Sequence, residues 1–168
     1  MKMRYMTVIP LILLAVVAAL LLIPSLSRVT LSATVVSQKP LEEVFAYMAN
    51  FENATDWDPA SVEMERISGD GTLGTQYRNV TEFNGNKTTV MYSVTDYRMN
   101  DRVEIRGENN TLSAIDTMVF RRTSAGTQVT YTAEFTFKGI YRLVSPFLRP
   151  AFNKLEAGAE RGLREKLG

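Results

Sequence analysis

Carboxylates and tyrosines are the side chains of this sequence that could do chemistry, because its 168 residues include no cysteine and no histidine. Their absence excludes thiol nucleophiles, imidazole bases and the usual zinc sites. An enzyme made from this chain would have to work with Tyr, Asp, Glu and Arg alone. We assign no catalytic residue and no metal ligand from the sequence, and we expect no cofactor and no turnover.

Asp116 is the carboxylate whose position matters most. It lies in the run 113–122, where Asp116 shares one strand face with Met118 and Phe120. We expect Met118 and Phe120 to point inward, which brings Asp116 toward the interior, where burial would raise its pKa and make it a candidate acid or base. The interpretation that we prefer places Asp116 at the rim of the interior, paired with an arginine or a hydroxyl group.

Two further carboxylates, Asp56 and Asp58, flank the single tryptophan, Trp57. A metal or sugar site built on this triplet is one interpretation. The other, which we prefer, is that Trp57 is a packing anchor in the turn-rich stretch 53–59.

Aromatic residues alternate along the predicted strand 127–138, where Tyr131, Phe135 and Phe137 share one face. We expect inward-facing side chains from the other strands and two phenylalanines of the final helix to complete a ligand pocket. The predicted ligand-binding residues are Tyr77, Tyr92, Val94, Ile105, Met118, Tyr131, Phe135, Phe147 and Phe152. The alternative is a filled core, since inward-facing aromatic side chains are also what cores contain.

Seven predicted strands and two predicted helices must position these side chains. The first strand covers 29–37, and a helix that begins after Pro40 ends near Phe51. Strand-like runs separated by Gly, Asn and Asp follow at 61–68, 75–83, 88–98, 102–108, 113–122 and 127–138. After Gly139, apolar residues recur at intervals of four from Leu143 through Phe147 to Leu167, which predicts a long amphipathic helix. The fold class is therefore α+β, with a seven-stranded antiparallel sheet and a long C-terminal helix.

The N-terminal segment 1–28 is predicted to be a membrane anchor with a short linker, and 29–168 a single domain. Residues Met6 to Ile23 carry no charge and are nearly long enough to cross a bilayer as a helix. Lys2 and Arg4 precede this run, so the positive-inside rule places the N-terminus in the cytoplasm and the domain outside it. Four N-x-S/T sequons fit that single-pass cell-membrane topology. A cleaved signal peptide is the alternative.

Five segments in order resemble a known superfamily. They are residues 39–45 at the entry to the first helix, the turn 50–59, and the runs 74–78, 126–131 and 145–150. Together they resemble the SRPBCC or START-like superfamily of polyketide cyclase/dehydrase and lipid-transport proteins, over roughly residues 30–167. The resemblance implies a helix-grip fold, in which the sheet wraps around the long C-terminal helix and a cavity lies between them. It leaves the chemistry open, because the superfamily includes cyclases, hydrolases, receptors and lipid carriers.

We therefore expect a membrane-anchored binding protein for a lipid or another hydrophobic small molecule. We expect no nucleic-acid partner, since the 19 Lys and Arg are balanced by 18 Asp and Glu and give the chain no basic excess. The alternatives are a cyclase-like or hydrolase-like enzyme and a scaffold domain with a filled cavity. A dry apolar pocket of several hundred Å³ would favour binding, convergent polar groups with shifted pKa values would favour catalysis, and a filled interior would favour the scaffold.

Overall fold

The computed structural model describes residues 9–10, 12–15, 17, 27–83 and 85–168. Residues 9–10, 12–15 and 17 are helical. Among the described residues, no helix is long and apolar enough to cross a membrane. The predicted anchor, residues 1–28, lies largely outside the described residues and stays a prediction.

The domain consists of one antiparallel sheet and one long helix, with two short helices after the first strand. The elements are β1 (Arg28–Ser37), α1 (Leu41–Ala49), a 3-10 turn (Phe51–Asn53), α2 (Ala54–Trp57), β2 (Ser61–Ser68), β3 (Gln76–Phe83), β4 (Asn86–Arg98), β5 (Arg102–Glu108), β6 (Leu112–Thr123), β7 (Gly126–Phe137), a second 3-10 turn (Gly139–Leu143) and α3 (Ser145–Leu167). The seven strands form one sheet in the order β1-β7-β6-β5-β4-β3-β2. The predicted seven-stranded antiparallel sheet with a C-terminal helix is confirmed.

Alternation along the strands decides which face is buried. In β1 every second residue from Val29 to Ser37 is buried, and the register pairs Val29 with Phe135 and Val35 with Val129 of β7. Met118 and Phe120 point into the core, as the sequence predicts, with 1% and 2% of their surface exposed. The inner face of the sheet therefore carries a continuous apolar layer that α1 and α3 cover.

Helix α1 packs its apolar stripe on one end of that layer. Phe45 meets the ring of Phe120 edge-on at a centroid distance of 5.0 Å. The helix ends at Ala49, two residues before the predicted end, because Asn50 adopts an extended conformation and its side chain accepts the N–H of Glu52. This end turns the chain into the stretch that contains Trp57 and Asp58.

Helix α3 runs along β1 and is held there by polar contacts at its C-terminal end. The Ser37 hydroxyl donates to the carbonyl oxygen of Leu167, and the Lys39 amine donates to that of Lys166 at 3.2 Å. Further back, the backbone N–H of Ser32 donates to the Glu156 carboxylate at 2.9 Å. These contacts fix the rotation of the helix and so decide which of its residues face the sheet.

Two glycines of α3 allow the turn after α2 to press against the helix. An added Cβ at Gly158 would lie 2.7 Å from Cγ of Pro59, and one at Gly162 would lie 2.1 Å from the carbonyl oxygen of Trp57. The Trp57 backbone and the Pro59 ring thus occupy the space that larger residues at 162 and 158 would fill. This turn brings Asp58 toward the interior of the domain.

Candidate functional site

A cavity of about 180 Å³ lies between the inner face of the sheet and α3. It is smaller than the several hundred Å³ expected of a dry apolar binding pocket. The interior is therefore neither filled nor wide open. The lining residues are Leu31, Asp58, Ala60, Asn79, Thr81, Phe83, Thr88, Val90, Tyr92, Thr111, Leu112, Asp116, Tyr131, Phe135, Phe137, Leu148, Phe152, Leu155 and Ala159.

Aromatic rings form the walls at one end of the cavity, with Phe152 of α3 at their centre. Its ring lies 5.5 Å from that of Phe83, 5.2 Å from that of Phe135 and 6.1 Å from that of Phe137, measured between centroids. Tilted and edge-on arrangements at these distances are those that aromatic pairs prefer. This end of the cavity offers an apolar surface to a ligand.

The other end, which we call the floor, carries four polar side chains from four parts of the chain. Asp58 follows α2, while Tyr92, Asp116 and Tyr131 lie on β4, β6 and β7. The Tyr131 hydroxyl donates to Oδ1 of Asp116 over 3.3 Å, and Tyr92 also forms a hydrogen bond with Asp116. Oδ1 of Asp58 accepts the backbone N–H of Ala60 at 3.0 Å. Among the described residues, no arginine or lysine lines the cavity, so no basic side chain there neutralises the two carboxyl groups.

Close packing holds the floor in place. The ring of Trp57 meets that of Tyr131 edge-on at 5.0 Å, which agrees with the prediction that Trp57 is a packing anchor. Tyr92 lies opposite Gly107 in the neighbouring strand, and an added Cβ at Gly107 would come within 2.8 Å of the Tyr92 ring. A glycine is needed at 107 because the Val90 side chain, the Met91 carbonyl oxygen and the Tyr92 ring all lie within 2.8 Å of the position that a Cβ would take.

Burial dominates the electrostatics of the floor. It raises the pKa of Asp116 to about 7; the charge of Asp58 adds to this, and the hydrogen bonds from the two tyrosines partly offset it. Burial also raises the pKa of Asp58 to about 6, against the hydrogen bond from Ala60. The pKa values of both tyrosines lie well above 10, first because of burial and next because of the charge of Asp116. Near neutral pH Asp116 therefore keeps a proton in about half of the molecules, whereas Asp58 is mostly ionised.

Of the nine residues predicted to bind a ligand, the structure brings four together at the cavity: Tyr92, Tyr131, Phe135 and Phe152. Another four, Tyr77, Val94, Ile105 and Met118, are buried in the core and do not line the cavity. Tyr77 packs against Phe51 instead, at a centroid distance of 5.7 Å. Phe147 lies on the outside of the domain with 82% of its surface exposed, so its predicted position over the pocket is wrong.

The prediction for Phe147 is wrong for a simple geometric reason. An interval of four residues advances an α-helix by about 40° more than one full turn. From Leu163, which is fully buried, the four intervals back to Phe147 add up to roughly 160°, which is the opposite face of the helix. The residues that face the cavity are Leu148, Phe152, Leu155 and Ala159, at the mixed spacing of three and four that a helix face requires.

The polar floor was only partly visible in the sequence. Asp116 is 8% exposed and bonded to tyrosine hydroxyls, so its predicted hydroxyl partner is found but its predicted position at the rim is wrong. The sequence places Asp58 only beside Trp57, and no pattern in it predicts the position of Asp58 at the cavity. Asn79, one of the four sequons, lines the cavity and accepts a hydrogen bond from Ser61 at 2.8 Å, so the folded domain leaves no room for a glycan there.

Comparison with known proteins gives one family match. A family model described as polyketide cyclase / dehydrase and lipid transport matches residues 28–168. A search of curated proteins finds no match.

Solved structures with the same fold cover most of the chain at low sequence identity. The Zhui aromatase/cyclase from Streptomyces sp. R1128 is 13% identical, with a TM-score of 0.69 over 83% of this chain and 93% of that one. A START superfamily protein from Mycobacterium smegmatis is 12% identical, with a TM-score of 0.62 over 84% of this chain and 97% of that one. The di-domain aromatase/cyclase StfQ of the steffimycin biosynthetic pathway is 12% identical with a TM-score of 0.65 over 86% of this chain, which spans about half, 52%, of its length. At such identities the likeness shows the fold alone.

Proposed function

The chain belongs to the polyketide cyclase/dehydrase and lipid transport family, and from that premise we propose that it binds a small molecule with an apolar body and a polar end. The observation that carries the proposal is the cavity itself, which has aromatic walls at one end and paired carboxyl groups at the other. Binding sites are typically lined by apolar side chains with a few polar groups that orient the ligand.

The volume of the cavity limits the size of that ligand. Apolar cavities of roughly 150 Å³ hold one benzene molecule, so about 180 Å³ accommodates one aromatic ring with a short substituent. A lipid chain or a fused polycycle would need the N-terminal part of α3 to move away from the sheet. The ligand classes expected from the sequence, lipids included, therefore divide by size into those that fit the present cavity and those that need it to widen.

The floor determines which polar end is suitable. With pKa values of about 6 and 7, Asp58 and Asp116 together present both a protonated carboxyl group and a carboxylate near neutral pH. A ligand hydroxyl can donate to one of them, and a ligand carbonyl can accept from the other. A ligand with no polar end would leave these groups without new partners while removing water from them.

Filling the cavity from α3 is expected to abolish binding. Ala159 lines the cavity, so Ala159→Leu places a side chain where the ligand ring would lie, whereas Ala157→Leu changes an exposed residue of the same helix. Titration calorimetry with 4-ethylphenol, a single ring with a hydroxyl, is expected to show at least a tenfold loss for Ala159→Leu and no loss for Ala157→Leu. Equal affinities in both variants, or no bound probe in a folded parent protein, would remove the proposal.

General acid–base catalysis is a second candidate function, favoured by the two carboxyl groups and two tyrosines that meet at the floor. Pairs of acids with shifted pKa values are a common basis of such catalysis. Asp116→Asn distinguishes the two candidates, because it would abolish turnover of a bound substrate while leaving much of the binding intact.

We also propose that residues 1–28 anchor the chain in a cell membrane with the domain on the extracytoplasmic side. The support is the uncharged run Met6–Ile23 preceded by Lys2 and Arg4. Protease added to intact cells is expected to digest the domain. Digestion only after lysis would contradict the orientation, and a mature protein that begins near residue 28 would show that the segment is a cleaved signal peptide.

A further inference from the structure

We propose that the surface formed by Ile140, Tyr141, Val144 and Phe147, which we call the mouth patch, docks on a lipid bilayer. All four side chains are large and exposed; Ile140 and Phe147 are 70% and 82% exposed. They come from the 3-10 turn Gly139–Leu143, from Val144 directly after it and from the first turn of α3. Contiguous exposed apolar side chains of this kind mark an interaction surface, because water disfavours them.

The position of the N-terminal segment indicates a bilayer as the occupant. The register of the sheet pairs Arg28 with Thr136, so the chain enters β1 at the end where β7 leads into the mouth patch. Only Pro24–Ser27 separate Arg28 from the uncharged run that ends at Ile23. If that run inserts in a membrane, a link of this length holds the same end of the domain against it.

The charge around the patch complements a lipid surface. From Lys138 to Leu155 the chain has four basic residues and no acidic one. Lys138 is paired with Glu108 at 2.8 Å, whereas Arg149 lies exposed. Arg142, next to Tyr141 in the chain, is half-buried. Arginines beside an apolar patch suit the boundary between acyl chains and anionic headgroups, where phosphate groups accept their hydrogen bonds.

The same surface adjoins the cavity. Leu148 follows Phe147 directly but faces inward and lines the cavity, together with Thr111 and Leu112 at the same end of the sheet. Docking through the mouth patch therefore brings this end of the cavity toward the acyl chains. An apolar ligand dissolved in the bilayer would then reach the cavity without crossing water.

Tryptophan fluorescence in vesicles tests the docking surface in the full chain. The single native tryptophan, Trp57, is buried, so a tryptophan added on the surface reports its own surroundings. The matched pair is Phe147→Trp and Met99→Trp, because Met99 is 73% exposed and lies in the turn between β4 and β5 at the opposite end of the sheet. The vesicles contain phosphatidylcholine and phosphatidylglycerol with brominated acyl chains, which quench tryptophan on contact.

We expect the emission of the added tryptophan to fall by half or more at position 147 and to change little at 99. Adding Arg142→Glu and Arg149→Glu to Phe147→Trp should remove most of that quenching while the chain still sediments with the vesicles. Equal quenching at positions 147 and 99 would overturn the proposal. So would the absence of quenching at position 147 in protein that sediments with the vesicles, a result that would point to a protein partner for the mouth patch. A chain that stays in the supernatant overturns it as well. Ala159→Leu should leave the quenching unchanged, so this proposal and the cavity proposal can fail separately.

Discussion

The free energy of unfolding is expected to decrease as the pH rises from about 5 to about 8, and Asp116→Asn is expected to remove most of that decrease. Asp116 has a pKa of about 7 in the folded protein, compared with an ordinary aspartate value of about 3.9. Between these values the unfolded chain loses the proton and the folded protein keeps it, so rising pH favours the unfolded chain. Above the folded pKa both states are ionised and the decrease ends.

The size of the effect follows from the shift. At about 1.4 kcal/mol for each pKa unit, Asp116 alone accounts for roughly 3–4 kcal/mol between pH 4 and pH 8. Asp58, with a folded pKa of about 6, acts in the same direction and its contribution ends at a lower pH. Histidine, which usually dominates this range, is absent from the sequence. The pH dependence in this window therefore reports mainly on the floor of the cavity.

Carboxyl groups whose pKa is lowered by folding have the opposite effect on stability, and they act below the range from pH 5 to pH 8. Burial would raise the pKa of Glu104, but hydrogen bonds from Arg106, Thr95 and Arg102 outweigh it, so its pKa lies below the usual value. Such a group adds stability above its unfolded pKa, near 4.3, and loses it as the pH falls through the folded value. Together the two kinds of acid predict a maximum of stability near pH 4.

Urea unfolding of the full chain in mild detergent, followed by Trp57 fluorescence, checks this prediction. Asp116→Asn is expected to be about 2–3 kcal/mol more stable than the parent at pH 8 and about 1 kcal/mol less stable than the parent at pH 4. The gain is smaller than the full ionisation cost because the buried amide also needs hydrogen-bond partners. Glu43→Gln, an exposed residue in α1, serves as the control and should follow the parent at both pH values. A parent whose stability rises from pH 5 to pH 8 would show that Asp116 is not buried as described.

The regular elements could be predicted because their signals are local. Each of the seven strands begins and ends within two residues of its predicted bounds, since alternation and turn residues lie within the same short stretch of chain. The face of β6 that carries Asp116 could be predicted for the same reason. What neighbours Asp116 across the sheet, and how deeply it is buried, depends on residues far away in the chain.

The positions of Asp58 and Phe147 show where sequence reasoning fails. Asp58 reaches the cavity because the turn 57–59 is pressed against Gly158 and Gly162, about a hundred residues later in the chain. Phe147 faces outward because a strict interval of four drifts around the helix, and contacts such as that between Ser37 and Leu167 set the phase. Both depend on how α3 docks, which no pattern within a single element specifies.

Gly162→Ala is expected to destabilise the protein by about 1–3 kcal/mol, although alanine is the better helix former. In a helix interior alanine is favoured over glycine by roughly 1 kcal/mol, so propensity alone predicts the opposite sign. The reason is the Trp57 carbonyl oxygen, which lies 2.1 Å from the position of the new Cβ. A backbone atom cannot rotate away, so α3 or the turn 57–59 must shift.

Two neighbouring variants separate this contact from general effects on the helix. At Gly158 the new Cβ meets the ring of Pro59 at 2.7 Å, which can adjust more easily than backbone, so Gly158→Ala should cost less than Gly162→Ala. Arg161→Ala changes an exposed residue between them and should be close to neutral. Urea unfolding is therefore expected to show the largest destabilisation for Gly162→Ala, a smaller one for Gly158→Ala and the smallest for Arg161→Ala.

The same substitution should also change the floor of the cavity, because the turn that Gly162 accommodates is the one that carries Asp58. If α3 moves away from the turn, water reaches Asp58 and its pKa falls toward the ordinary value, so Asp58 adds less to the decrease in stability. The decrease in stability between pH 5 and pH 8 should then be shallower in Gly162→Ala than in the parent, while Arg161→Ala keeps the parent slope. A Gly162→Ala protein that is more stable than the parent would refute the close contact between α3 and the turn. A destabilised variant with an unchanged slope would show that the contact holds the helix but does not position Asp58.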